Sequence, residues 1–221
     1  MQAQADPFIV PACHEQIEIL YQDEYLLLIN KPSALLTLSG RHPLNQDSTH
    51  HRLVQNFPTA SLIHRLDFST SGIMIVALNK TINAHIGNQF QDRTVTKTYT
   101  AILHGHLEHD TGNMDYPIAK GEFPLQKICY KTGKTALTNY DVIERLTSPK
   151  LSRVIFKPVS GRTHQLRIHS AELGHPILGC DFYAPDEVFA MTERLMLHAT
   201  TIEFNHPITG ERITGTSPCP F

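Results

Sequence analysis

Apolar and polar residues follow one another along this chain in short blocks, most of them the length of a strand. Residues 17–21 and 25–29 are apolar runs separated by Gln22, Asp23 and Glu24, a spacing that predicts a β-hairpin. Asn30, Lys31 and Pro32 end it, and residues 33–47, rich in Ser, Gly, Pro and Asn, read as a long loop. His51, Leu53, Val54 and Phe57 fall roughly on one face of a helix that begins near Ser48 and is stopped by Pro58. Residues 73–78 form a continuous β-prone run. Asn79 then caps a helix carrying Ile82, Ile86 and Phe90 at four-residue spacing. Residues 96–103 alternate, with Lys97, Tyr99, Ala101 and Leu103 on one face of a strand.

Residues 104–134 mix Gly, Pro, Lys and His without a sustained period, which predicts loops with short strands. A second hairpin follows over 137–145 and 151–159, turned through Ser148 and Pro149. Thr163 is placed to N-cap a short helix over 164–173, closed by Gly174. The last strand covers 195–204 and turns at residues 206–210 into Ile213. Strands outnumber helices and come in hairpins. The expected class is therefore α+β, a mostly antiparallel sheet with flanking helices, and not a doubly wound parallel sheet. There is no internal repeat, low-complexity tract or linker, so residues 17–221 are expected to form a single domain behind an N-terminal extension, 1–16.

Composition narrows the function classes. With 41% hydrophobic and 18% charged residues among 221, the chain has the balance of a globular protein and not of a disordered tail. No apolar run approaches the roughly 18 residues that cross a bilayer, and residues 1–6 lack a signal-peptide pattern, so a cytoplasmic protein with no membrane association is expected. Cys13, Cys129, Cys180 and Cys219 form no C-x-x-C pair, and none of the 14 histidines lies in H-E-x-x-H spacing, so no metal is expected. The net charge of −2 requires that any nucleic-acid-binding surface be a local patch.

Three clusters have the residue types of chemistry. The first is His64-Arg65-Leu66-Asp67-Phe68-Ser69-Thr70-Ser71-Gly72: a lone carboxylate on a tight Ser/Thr/Gly loop just before a buried strand. An Asp at a turn also serves simply to hydrogen-bond its own backbone, but Arg65 and three neighbouring hydroxyls surround this one. The second is Gly161-Arg162-Thr163-His164-Gln165-Leu166-Arg167-Ile168-His169. There Arg167 lies one turn from Thr163 and His164, and Arg162 lies near a helix N-terminus that favours phosphate; the plainer alternative is a solvated amphipathic helix. The third is Lys97-Thr98-Tyr99-Thr100-Ala101, where Tyr99 is either a core aromatic or a base-stacking platform.

Together with Asn30-Lys31-Pro32, residues 174–179 (Gly-His-Pro-Ile-Leu-Gly) and Leu197-His198-Ala199, these clusters occur in an order that resembles the RluA family of pseudouridine synthases. The likeness runs from about Ile17 to the C-terminus. It is closest to the short, dual-specificity members, on the strength of Ser39-Gly40-Arg41, Gln126-Lys127-Ile128-Cys129-Tyr130 and Thr132-Gly133-Lys134. Ala34 departs from the pattern, because the family has Gly there. The part before Ile17 is too short for the S4-like RNA-binding domain of many relatives.

The resemblance implies the pseudouridine synthase fold with a central active-site cleft. It also implies isomerisation of specific uridines in 23S ribosomal RNA, in transfer RNA anticodon stem-loops, or in both. The N1–C1′ bond breaks, the uracil turns, and C5 bonds to C1′, with no redox change and no cofactor. Carried over by motif, Asp67 is the catalytic carboxylate, as nucleophile or base, Arg167 pairs with it, and Tyr99 stacks on the uracil. Ile168 walls the pocket and Arg65 braces the RNA from which the uridine is flipped. Lys97, Arg162 and Arg41 are candidate phosphate contacts. A monomer with no obligate protein partner is expected. A non-catalytic RNA-binding protein on the same fold is the competing class. A kinase-like reading fails, because the order here is His-Arg-Leu-Asp and no glycine-rich loop precedes a matching lysine.

Overall fold

The computed structural model describes residues 9–221; the part of the N-terminal extension before residue 9 lies outside the described residues. Two compact units are present, and neither is a continuous stretch of chain. The first holds the described residues up to Val95 together with Thr201–Pro218, and the second holds Thr96–Thr200 with Cys219–Phe221.

In the first unit, β1 (Glu18–Gln22) pairs antiparallel with β2 (Leu26–Lys31), as the two apolar runs predict. Next come α1 (Thr49–Leu53), β3 (Ser61–Leu62), β4 (Ser71–Ala77) and α2 (Lys80–Gln91). β2 and β4 are antiparallel neighbours, with Leu28 opposite Ile75 and Lys31 opposite Gly72. Every residue of β4, and all of β2 but Asn30, is buried. A strand covered on both faces has no reason to alternate, which is why these segments read as unbroken apolar runs. The side chains of Ser48 and Asn79 accept from the N–H groups of His51 and Ile82, so both predicted helix starts are where the cap residues put them. α1 is shorter than the pattern predicts: it ends at Leu53, and turns lead on to Pro58.

The second unit contains β5 (Thr96–His104), β6 (Thr111–Asp115), β7 (Ile118–Lys120), β8 (Gln126–Ile128), β9 (Leu137–Thr147), β10 (Lys150–Pro158), α3 (Gln165–Glu172) and α4 (Asp186–Phe189). β10 lies between β5 and β9, and β6 flanks β9, all antiparallel. Its core gathers Ala101, Leu103, Val154, Phe156, Leu166 and Ile177. β11 (Leu197–Asn205) runs through the boundary at Thr200, and its second half pairs with β12 (Arg212–Thr216) in the first unit. The α+β class and the hairpins are as expected.

Two local features depart from the sequence reading. Thr163 is not the cap of α3; His164 is, in the left-handed region at φ 56 and without a side-chain cap bond. The Gln165 side chain instead ties down the segment that leads into the helix, its Oε1 accepting from the Arg162 N–H (2.9 Å) and the Ser160 hydroxyl (2.8 Å). The second feature is Ala34, also left-handed at φ 55, a conformation in which a Cβ costs about 1 kcal/mol. Ala34→Gly should therefore stabilise the protein by about 1 kcal/mol, seen as a Tm rise of about 2–4 °C. A lower Tm would show that the loop is not strained at this residue.

Candidate active site

Asp67 sits on the loop joining β3 to β4, and that loop is fixed through its backbone. The Thr70 N–H donates to the Asp67 carbonyl (3.1 Å) and closes a tight turn, while Leu66 and Thr70 are buried on either side. Three side chains from residues 31–37 then bind the neighbouring carbonyls. Thr37 Oγ1 donates to Leu66 (2.6 Å), Lys31 Nζ to Phe68 (3.2 Å) and Ser33 Oγ to Ser69 (2.7 Å). Lys31 also donates to Pro32 and Leu35, both at 2.8 Å. Its side chain is fully buried, so an ammonium group taken out of water recovers its lost hydration from main-chain oxygens. From the other side, His64 Nε2 accepts from the Ile75 N–H (3.0 Å) and its ring lies 4.9 Å from that of Phe90. Gly72, at φ 117, ends the loop in a conformation that a side chain would strain, directly opposite Lys31.

This framework leaves Asp67 half-buried and Arg65 exposed. A rigid backbone with an accessible carboxylate suits a group that must meet a substrate in one geometry. Arg41 is exposed at the tip of a loop closed by the Gly40 N–H donating to the Asn45 carbonyl (2.7 Å).

The second unit gathers the other candidates. Tyr99 is half-buried, lies opposite Phe156 of β10, and rests on the Ala101–Leu166 core, so it combines an anchored body with a partly open ring. Lys97 lies two residues earlier on the same strand, and its Nζ comes within 3.8 Å of where a Cβ on Gly161 would stand. Burial pushes the Lys97 pKa below its ordinary value. Arg162 donates through Nε to the Thr135 carbonyl (3.2 Å).

Arg167 projects from α3 and is only 3% exposed. Asp181 forms a short ion pair with its Nη2, and Nε donates to Cys180 Sγ at 3.4 Å. The guanidinium carbon lies over the Phe182 ring, 5.1 Å from its centroid, and over that of Tyr183 at 5.5 Å, two cation–π contacts. The Tyr183 hydroxyl accepts from the Gln126 N–H (2.9 Å), leaving its own proton for His164 Nδ1 (2.7 Å). Ile168 is buried with Ile118 and Ala136, beside Tyr183. His169 is sealed between Thr138 and the Tyr116 carbonyl, and burial lowers its pKa. Among the described residues, no group of three or more His, Cys, Asp or Glu side chains is gathered as a metal ion would need.

Sequence reasoning singled out Arg167 but not the Asp181–Tyr183 collar around it. The signal was an acid and two aromatics directly after the apolar residues 177–180, and it has meaning only once the chain has folded back on α3. Lys31 was visible as a cation ending a wholly apolar run, yet its role as the tie of the Asp67 loop was not.

The chain is similar to known proteins over most of its length. The RNA pseudouridylate synthase family pattern matches residues 25–172. Over 194 residues the chain is 46% identical to the dual-specificity RNA pseudouridine synthase RluA of Yersinia pestis, covering 87% of this chain and 94% of that one. Its namesake from Escherichia coli (strain K12) is 43% identical over 205 residues, covering 92% and 93%. Among solved structures, human RNA pseudouridylate synthase domain containing 1 matches with a TM-score of 0.80 and 32% identity, over 96% of this chain and 86% of that one. The human domain containing 4 protein, at 24% identity and a TM-score of 0.73, shares the fold.

Proposed function

This chain belongs to the RNA pseudouridylate synthase family, and on that premise we propose that it converts specific uridines of ribosomal RNA, transfer RNA or both, with Asp67 as the catalytic carboxylate. The observation that carries this reading is the Asp67 loop itself. Its backbone is fixed at three points, Leu66, Phe68 and Ser69, by Thr37, Lys31 and Ser33, and Asp67 is left half-buried.

The reaction is an isomerisation. The N1–C1′ bond breaks, C5 bonds to C1′, C5 gives up a proton and N1 gains one, so no atom is added or lost. Asp67 acts on the ribose as nucleophile or base. Tyr99 offers one ring face to the uracil while its body is held against Phe156 and Ala101. Arg167, with its guanidinium held by Asp181, Phe182 and Tyr183, supplies a fixed positive charge. Ile168 gives an apolar wall, Arg65 braces the opened RNA, and Lys97, Arg162 and Arg41 meet phosphates. The same reading makes the protein a cytoplasmic monomer without an obligate protein partner.

The direct test is to incubate the purified protein with unmodified ribosomal and transfer RNA and to map pseudouridines at nucleotide resolution. Discrete sites in both RNAs are expected; sites in one alone would restrict the substrate, and none in either would refute the reading. Tyr99→Ala should lower kcat by about 100-fold or more with RNA affinity changed by less than about threefold, as measured by single-turnover kinetics beside a binding titration. Equal losses in both would make Tyr99 a general binding residue.

A further inference from the structure

Residues 118–134 take no part in the chemistry above, yet they present a cluster of positive charge to solvent. Lys120, Lys127, Lys131 and Lys134 are all exposed, with Glu122 the single acid among them. That segment therefore carries a formal +3, which leaves −5 on the remainder of a chain that sums to −2. Two large rings stand out from it: Phe123 is 80% exposed and Tyr130 is 73% exposed. Exposed rings interleaved with lysines suit a single-stranded nucleic acid, whose bases stack while its phosphates meet ammonium groups. An acidic protein would meet the lysines but would have less use for two bare rings.

The segment is a built ribbon. β7 and β8 pair with Ile118 opposite Ile128, and on its other side Ile118 exchanges both backbone hydrogen bonds with Lys134, at 3.0 and 2.8 Å. Gly133 fits against the Cys129 and Pro117 carbonyls so closely that any side chain there would overlap them. The ribbon is anchored on the helix of the candidate site. Ile118 and Ile128 pack with Ile168, the neighbour of Arg167, and the Gln126 N–H donates to Tyr183, which holds His164 at the start of α3. The lysines are thus carried at a fixed position relative to Arg167.

We propose that the 118–134 ribbon is an RNA-docking surface, its lysines neutralising the phosphates of a single-stranded or loop segment of the substrate and Tyr130 stacking on one of its bases. This rests on the RNA-isomerase reading for its substrate, but its test does not depend on turnover. The combined variant Lys120→Gln, Lys127→Gln, Lys131→Gln and Lys134→Gln is compared with wild type, with the corresponding four-Arg variant, and with Tyr130→Ala. An unmodified transfer RNA anticodon stem-loop is titrated across a range of salt concentrations, and kcat is measured at saturating RNA.

The Gln variant should lower the slope of log affinity against log salt by about 2 to 3, from about 0.7 per lost contact. Its affinity near 0.15 M salt should fall at least about tenfold, with kcat at saturation within about twofold. The Arg variant should restore both. Tyr130→Ala should weaken binding about tenfold with the salt slope unchanged. An unchanged slope and affinity in the Gln variant would overturn the proposal while leaving the isomerase reading intact. A reduced slope with no pseudouridine formed even by wild type would support the surface and remove that reading.

Discussion

Asp67→Asn is expected to lower the rate of pseudouridine formation by about 10⁴-fold or more, while RNA affinity stays within about twofold of wild type. That loss corresponds to about 5.4 kcal/mol of transition-state stabilisation, more than any single binding contact in the site is expected to supply. The substitution is nearly isosteric. The turn it sits in is held by the Asp67 main-chain carbonyl and by the ties to Leu66, Phe68 and Ser69, none of which uses the carboxylate. A folded, RNA-binding and inactive protein is therefore the expected product. The measurement is a single-turnover assay beside a filter-binding titration. Retained activity would show that the Asp67 carboxylate is not the catalytic group.

Lys31→Met carries the second large effect, and it falls on stability first. Removing the ammonium leaves the carbonyls of Pro32, Leu35 and Phe68 without the donor they share in a region closed to solvent. Each such loss costs about 1–3 kcal/mol, so a total near 4 kcal/mol is expected, and for a chain of this size a Tm fall of about 10 °C. Below the new Tm, kcat should also drop, because Phe68 follows Asp67 directly and its carbonyl would be released. RNA affinity should hardly move. A Tm within about 2 °C of wild type would show that Lys31 is not the tie that the hydrogen bonds describe. Ser33→Ala, which removes one neutral donor from the Ser69 carbonyl, should give the same pattern at about a quarter of the size.

Much of this was legible in the chain because the signals were local. The burial of β2 and β4 on both faces is written as unbroken apolar runs, and Ser48 and Asn79 announce their helices by capping chemistry. The Asp67 loop was legible by its Ser/Thr/Gly density. What escaped was decided by contacts distant in sequence. β3 is two residues long, too short to show a period, and exists through its pairing with β4. Thr163 looked like a cap, but the left-handed turn at His164 takes that position, and the Gln165 side chain ties the entry of the helix to Arg162, Leu137 and Thr138. Asp181 meets Arg167 across fourteen residues, and no local pattern marks an ion pair made by such a return.

The split of the first unit along the chain has a consequence for biosynthesis. Gln89 waits for Asn205, with which its side chain makes two hydrogen bonds, at 2.8 and 2.9 Å, and Asp23 waits for His206, at 3.0 Å. Gly215 packs so closely on Leu28 and Ile73 that a methyl group would not fit. A nascent chain emerging from the ribosome has therefore made the whole of residues 96–200 before the segment that completes the Asp67-bearing unit exists. A transcript cut short before codon 201 yields a polypeptide with every motif of the reaction and an unfinished support for its aspartate, a natural substrate for cellular proteases.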